Sequence, residues 1–334
     1  MIKEISLENF GTIGKMNSKG LGSVNLIIGP NQSGKTTLLK ALYAAQKTVE
    51  QYRRGKDTRL DKEILSEKLY WTFQTKVLGN LVKKGSSTLS FCMKSDGRQS
   101  FKYSFGTSTT KAVQKLDNTY KKSDANSIFI PAKEIISILD VILDWRDRYS
   151  EFGFEDPYVD LARALSPTTK GKNYKSFSDA RVELENLVGG KLGYNNEKKE
   201  WQFIDNSKKV YDIALTSEGV KKLSILDLLL GNHYLSDNSV IIIDEIEANL
   251  HPKMISKFLE VIMILGKAGV QFFISTHSYF VIKYLYVLAH QMDTDVPVLS
   301  FDGGVCKQGN LKESMPKNPI IDESINLYKA ELSL

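Results

Sequence analysis

Apolar and polar residues alternate almost from the first position. Ile2-Lys3-Glu4-Ile5-Ser6-Leu7 has a near-twofold period suited to a half-buried strand, and Val24-Asn25-Leu26-Ile27-Ile28 is mostly apolar, suiting a strand covered on both faces. Two strands are therefore expected in the first 30 residues. The period then changes: Leu38, Leu39, Leu42 and Ala45 share one face of a helix expected from about Lys35 to Val49. Residues 51–84 are polar and basic and are expected to form a helical arm. Thr88 to Ser95 and Ser100 to Phe105 read as a strand pair across Asp96-Gly97, and Ser127-Ile128-Phe129-Ile130 as a short buried strand stopped by Pro131. Over 133–190 the apolar spacing is helical, with breaks near Asp156-Pro157 and Ser166-Pro167. This stretch is expected to be a helical insertion and a surface for a partner or signal. Gly189-Gly190 then opens strands through Trp201 to Phe203 and Val210 to Ile213.

The last third alternates strand and helix. A helix over Val220 to Leu230 precedes the strand Val240 to Ile243, a helix opening at Pro252, the strand Gln271 to Ile274, a helix from Tyr279 to Ala289 and a strand from Val296 to Phe301. Such alternation marks a mainly parallel sheet covered by helices. The expected class is α/β: one discontinuous head with a core over about 1–50, 85–132 and 200–334, plus an antiparallel N-terminal strand layer.

Composition adds mostly exclusions. Hydrophobic residues at 42% can build a large core, yet no apolar run approaches the roughly 18 residues of a spanning helix. Cys92 and Cys306 cannot make a disulfide framework or a metal knuckle, and the four histidines lack ligand spacing. A soluble cytoplasmic protein without structural zinc is expected. The formal charge of +6, with lysine pairs such as Lys121-Lys122 and Lys221-Lys222 and a patch from Arg53 to Arg59, permits nucleic acid, but a solvated face is the commoner explanation of such runs.

Three stretches carry chemistry. Gly29-Pro30-Asn31-Gln32-Ser33-Gly34-Lys35-Thr36 fits the phosphate loop G-x-x-x-x-G-K-[ST], between a buried strand and an amphipathic helix. Gly29 and Gly34 let the backbone curl so that N–H groups face a β-phosphate. Lys35 reaches the β and γ phosphates, the Thr36 hydroxyl is placed for Mg²⁺, and Thr37 continues the binding segment. The second stretch, Val240-Ile241-Ile242-Ile243-Asp244-Glu245, delivers Asp244 to the sheet edge as a Mg²⁺ ligand and Glu245 to polarise the attacking water. Taken alone, these carboxylates also fit a strand ending in solvent. In the third, Phe273-Ile274-Ser275-Thr276-His277-Ser278, His277 ends an apolar strand where an imidazole can sense a γ-phosphate.

Together these residues resemble the RecF/SMC branch of ABC ATPases, and within it the heads of OLD-type (overcoming lysogenization defect) ATPases. The likeness lies in Ile5-Ser6-Leu7-Glu8-Asn9-Phe10, in Asn31 of the phosphate loop, in Asp244-Glu245-Ile246-Glu247-Ala248-Asn249-Leu250-His251-Pro252, where Ile246 replaces a proline, and in Ser275-Thr276-His277-Ser278. It covers roughly residues 1–45 and 205–300. The resemblance implies ATP and Mg²⁺ as cofactors and a signature loop, for which Thr216-Ser217-Glu218-Gly219 stands in the right place. Ser217 and Gly219 would then contact the γ-phosphate of a second head, although Ser217 also fits an ordinary helix N-cap. For the glutamine that such heads use beside Mg²⁺, Gln74 or the stretch Ala132-Lys133-Glu134 are the candidates. Adenine is expected near Asn9, Phe10 and Ile13.

The function this implies is ATP hydrolysis by a homodimer of heads closed around ATP, acting as a switch for a separately encoded effector, in bacterial defence against phage. A RecF-like DNA clamp is the rival. OLD-type proteins often carry a Toprim nuclease, but only about 40 residues follow the last clear helix, and Asp293-Thr294-Asp295 reads as a turn.

Overall fold

The computed structural model describes residues 1–166 and 175–334. Pro167, part of one expected helix break, lies outside the described residues.

The chain opens with three strands rather than two: β1 (Ile2–Phe10), β2 (Ile13–Ser18) and β3 (Val24–Ile28). β2 buries only Ile13, Met16 and Ser18, so it carries little apolar alternation, yet it pairs antiparallel with β1 from Ile5↔Ser18 to Phe10↔Ile13. After β3 comes α1 (Lys35–Gln51). Along it lies α2 (Asp61–Phe73), with Ile64, Leu65 and Leu69 buried, so this part of 51–84 folds back onto α1 rather than standing out as an arm. β4 (Thr88–Ser95) and β5 (Ser100–Gly106) form the expected hairpin, extended by β6 (Lys115–Asn118), and β7 (Ile128–Ile130) is the short buried strand. Three helices follow: α3 (Leu139–Tyr149), α4 (Asp156–Leu165) and α5 (Lys175–Val188). Pro157 sits in the first turn of α4, where a missing N–H costs nothing.

A small antiparallel sheet of β8 (Gly190–Asn195), β9 (Glu200–Asp205) and β10 (Val210–Asp212) leads into α6 (Glu218–Gly231). The remaining elements are β11 (Val240–Ile243), α7 (Pro252–Lys267), β12 (Gln271–Thr276), α8 (Tyr279–Gln291), β13 (Pro297–Asp302), β14 (Val305–Asn310) and α9 (Pro319–Leu332).

Among the described residues, eleven strands form one mixed sheet in the order β6-β5-β4-β1-β2-β14-β13-β3-β12-β11-β7. From β13 to β7 the pairing is parallel; from β6 to β2 it is antiparallel, and the antiparallel β13–β14 hairpin joins the two halves. The antiparallel strands thus continue the central sheet. Leu26 and Ile28 face one core with Ile241, Ile243, Phe272 and Ile274, while Ile27 faces the other with Ile242 and Phe273. Each such side chain contributes about 1.5–3 kcal/mol when fully buried, which fixes the register of the parallel strands. Registers Ile28↔Thr276, Ile243↔Ile274 and Ile243↔Ile130 bring the carboxyl ends of β3, β12, β11 and β7 side by side, so the loops leaving them meet at one edge. Open α/β sheets bind ligands at such an edge.

Candidate nucleotide-binding site

The loop leaving β3 depends on its glycines. Gly29 has φ +152°, and a Cβ there would lie 2.6 Å from the Phe301 carbonyl oxygen; Gly34 has φ +111°, and its Cβ would lie 2.7 Å from Ile13 Cγ1. Any side chain would therefore push the loop off the adjoining strands. Gly34 caps α1 without a side-chain acceptor, and the first turn holds no acidic residue, so the helix start presents its N–H groups with no anion of its own. Ser33 Oγ is buried without a protein partner. Lys35 Nζ donates to the carbonyls of Gly29 (2.6 Å) and Pro30 (2.9 Å), folding across the loop. Burial lowers the Lys35 pKa, while Asp244, Glu245 and Glu247 oppose that shift. A free helix start, an orphaned hydroxyl and a lysine held only by carbonyls fit a bound polyphosphate.

Asp244 closes β11 opposite this loop. Thr36 Oγ1 donates to Asp244 Oδ2 at 3.0 Å, and Ser275 donates to Asp244 Oδ1. The hydroxyl and carboxylate expected to share a magnesium ion thus lie in direct contact, and their oxygen chemistry suits that ion. Glu245 has φ +47°, a strained region for a non-glycine residue, and its N–H donates to Ser275 Oγ at 2.8 Å.

His277 leaves β12 beside these carboxylates. Its backbone N–H donates to Glu247 Oε1 (2.9 Å), and its Nδ1 lies 3.3 Å from that oxygen and 3.7 Å from Glu245 Oε1. Thr276 Oγ1 donates to the other Glu247 oxygen at 2.8 Å. Glu247 and Ser275, both inside the motifs above, join the site without a role that their residue type alone announces. Their signal was register: Ser275 lies one position past Ile274, the partner of Ile243 at the end of β11.

A cleft of roughly 420 Å³ is lined by Thr12, the whole run from Asn31 to Thr37, and Glu245. Thr12 was missed as well. Phe10 and Ile13 are fully buried and offer no face to a base, and Asn9 spends its amide on the Thr88 carbonyl. Gln74 caps α2 with its Nε2 buried and unpartnered. Glu134 accepts from the Ser137 N–H and lies 3.9 Å from Lys221 Nζ.

Ser217 and Gly219 do not line the cleft. Ser217 caps α6, accepting from the Val220 N–H at 3.4 Å, and is exposed. Gly219 is buried because α6 runs against the loop after β11: a Cβ would lie 2.7 Å from the Asn249 carbonyl oxygen.

Residues 24–283 match the family model described as "AAA domain, putative AbiEii toxin, Type IV TA system". The chain belongs to this family. Its fold is similar to that of an SMC head bound to the C-terminal winged-helix domain of ScpA (TM-score 0.55, 14% identity, 92% of this chain and 97% of that one). It is also similar to the Smc head with an extended coiled coil bound to the C-terminal domain of ScpA, derived from Pyrococcus furiosus (TM-score 0.53, 13% identity, 98% of both chains). No curated protein matches the chain in sequence. The fold is that of an ABC-type ATPase head, and the protein binds and hydrolyses ATP. The narrower likeness to OLD-type heads rests on the motifs alone. No helix among the described residues is long and apolar enough to cross a membrane.

Proposed function

We propose that this ATPase is a nucleotide-driven switch: two heads engage face to face around ATP, and their engagement controls a separately encoded effector in defence against phage. The observation that supports the engaged dimer is the separation of parts. The phosphate loop, Asp244 and Glu245 gather at one sheet edge, whereas Ser217 stands exposed at the tip of α6 and outside that cleft. A hydroxyl and free N–H groups at a helix start suit a phosphate, and a second copy of the chain supplies one.

In this reading the N–H groups of residues 31–36 hold the β-phosphate and Lys35 leaves its two carbonyls for the β and γ oxygens. Thr36 and Asp244 would hold Mg²⁺, which when bound neutralises charge on those phosphates. Glu245 accepts the proton of the attacking water, with its backbone fixed by Ser275. His277, beside Glu245 and Glu247, reports on the γ-phosphate. ATP binds the closed pair more strongly than the open one, so hydrolysis reopens it. The effector and the defence role rest on the OLD-type resemblance and on the toxin–antitoxin description of the family, and the helices of 133–190 are the surface offered to that partner.

Light scattering of Glu245→Gln and of Glu245→Gln/Ser217→Arg, with and without ATP, tests the switch. The first is expected to dimerise only with ATP and the second to stay monomeric while still binding ATP. An identical ATP-dependent dimer in both would overturn engagement through Ser217. Mass spectrometry of the native complex tests the effector: a second protein in fixed ratio supports it, and the chain alone on duplex DNA supports a clamp instead.

A further inference from the structure

A buried ammonium with no carboxylate against it is strongly unfavourable, so a protein that keeps one gains something else from it. Lys222, on α6, is 2% exposed. Its Nζ donates to the Glu245 carbonyl at 2.8 Å and more weakly to the Ala248 carbonyl at 3.5 Å. Both acceptors are backbone oxygens, and among the described residues no carboxylate is in ion-pair contact with it. Burial brings its pKa down to about 8, against the opposing pull of Glu247, Asp244 and Glu245. Methionine or leucine would fill the same space without that penalty.

The acceptor explains the lysine. Glu245 holds φ +47°, which a glutamate does not adopt without restraint, and the restraint comes from both sides: Ser275 takes its N–H, and its carbonyl accepts from the Ala248 N–H of the following turn (2.9 Å) and from Lys222 Nζ, the contact that ties it to α6. The same end of α6 is anchored twice more. Gly219 leaves no space for a Cβ against the Asn249 carbonyl, and Lys221 Nζ donates to Ser137 Oγ at 2.8 Å, in the loop that follows β7. Ser217 lies at the tip of this anchored turn.

We propose that Lys222 is a positioning residue: it holds Glu245 in its left-handed conformation and ties that conformation to the placement of α6, so that a phosphate met by Ser217 in a neighbouring head is felt at this head's own base. The inference rests on the engaged-head reading above and adds to it a route by which the two sites act on each other.

Lys222→Met keeps the stem and removes both donor and charge. Turnover is expected to fall about 10- to 100-fold, the effect of moving a reacting group by about an ångström, with KM and ATP affinity within about twofold of wild type. The melting temperature is expected to hold or rise, because a buried charge is gone. A merely structural lysine would do the reverse, with Tm falling and turnover tracking the folded fraction. Should Lys222→Met not fold, Lys222→Leu, which also removes donor and charge, carries the same test. Lys222→Arg, which keeps charge and donors, is expected to recover part of kcat. Glu245→Gln measured alongside separates the two claims. Normal turnover there would remove the base itself. An inactive Glu245→Gln beside a fully active Lys222→Met would overturn only the role of Lys222.

Discussion

Asp160→Asn measures how firmly the phosphate-loop helix is held to the helices beside it. Asp160 on α4 lies 3.3 Å from Lys47 Nζ and 3.8 Å from Lys68 Nζ, and accepts from the Tyr43 hydroxyl at 2.6 Å. Lys47 and Tyr43 belong to α1 and Lys68 to α2, and Asp156 takes Lys68 (2.7 Å) and Arg146 of α3 (3.2 Å). Burial alone would raise the Asp160 pKa, but Lys47, Lys68 and the Tyr43 hydroxyl outweigh it and hold the carboxyl well below the usual range. Asparagine keeps the shape and removes the charge that two buried ammonium groups share. Breaking a buried pair from one side costs about 3–5 kcal/mol. At about 2.1 cal/mol/K per residue over 334 residues, the melting entropy is about 0.7 kcal/mol/K, so Tm is expected to fall by about 4–7 °C. The sign with pH follows from a depressed acid. The contribution is full above the unfolded value of about 3.9 and is lost as pH falls through the lower folded value. Calorimetry should therefore find a constant gap between wild type and variant from about pH 5 to 8, closing only in stronger acid. A variant melting within about 1 °C of wild type, or a gap that closes as pH rises, would refute the reasoning.

Three further changes test other parts of the fold. Gly34→Ala forces a Cβ to 2.7 Å from Ile13 Cγ1 at φ +111°. Strain of about 1–3 kcal/mol should weaken ATP binding by roughly 5- to 150-fold in titration calorimetry, and unchanged affinity would mean the loop is not shaped by that glycine. Gly219→Ala meets the Asn249 backbone rather than a flexible side chain, so an unfolding free energy lowered by about 1–3 kcal/mol is expected from urea titration, with reduced turnover and intact monomer ATP binding. Tyr103 has a buried hydroxyl without a partner among the described residues, between Phe91 and Phe105. Tyr103→Phe is expected to stabilise the protein by about 1–2 kcal/mol in the same assay, and a loss of stability would show that the hydroxyl is satisfied after all.

What the chain discloses depends on where its information lies. β3, β11 and β12 were legible because burial on both faces demands an unbroken apolar run, and the phosphate loop because its glycines and lysine have no cheap substitutes. β2, β6, β14 and α9 were not. β14 buries none of its residues fully and pairs through its backbone, which any sequence supplies, so Val305 to Asn310 carries no alternation to read. α9 spaces Ile321, Ile325, Tyr328 and Leu332 along one face, but among the described residues it buries only Ile321 and leaves the other three exposed, so the pattern does not mark a core helix. Within the site, Asp244, Glu245 and His277 could be singled out from type and order, and their roles remain the ones proposed above. The partnership of Glu247 with His277, of Ser275 with Asp244, and of Lys222 with Glu245 spans separate elements and needs the register of β11 on β12 to be known. The adenine contact expected near Asn9, Phe10 and Ile13 could not be narrowed for a related reason: an apolar side chain near a nucleotide loop fits a base contact and a core position equally, and it is burial that puts the Phe10 and Ile13 side chains in the core.

Several of the charges kept inside this head lie along α1 and α6, the helices that begin at the phosphate loop and at Ser217. α1 starts at the phosphate loop and carries Lys40, Tyr43 and Lys47 to the carboxylates at and just before α4, Lys40 meeting Glu155 at 2.6 Å. α6 starts at Ser217 and carries Lys221 and Lys222 to the loops after β7 and β11. Hydrophobic replacements would hold these helices at least as tightly, since buried ion pairs seldom exceed well-packed apolar groups in stability. What polar contacts add is direction: a hydrogen bond weakens steeply when its geometry changes, whereas apolar packing tolerates sliding. Contacts of this kind tie α1 and α6 each to one arrangement of its neighbours. That property is what a nucleotide switch requires, because ATP can shift an equilibrium between states only if they differ in their contacts to it. The stability test on Asp160 and the turnover test on Lys222 therefore probe one idea from two sides: losing the first should loosen the frame around the phosphate loop, and losing the second should leave the frame intact while its output to Glu245 fails.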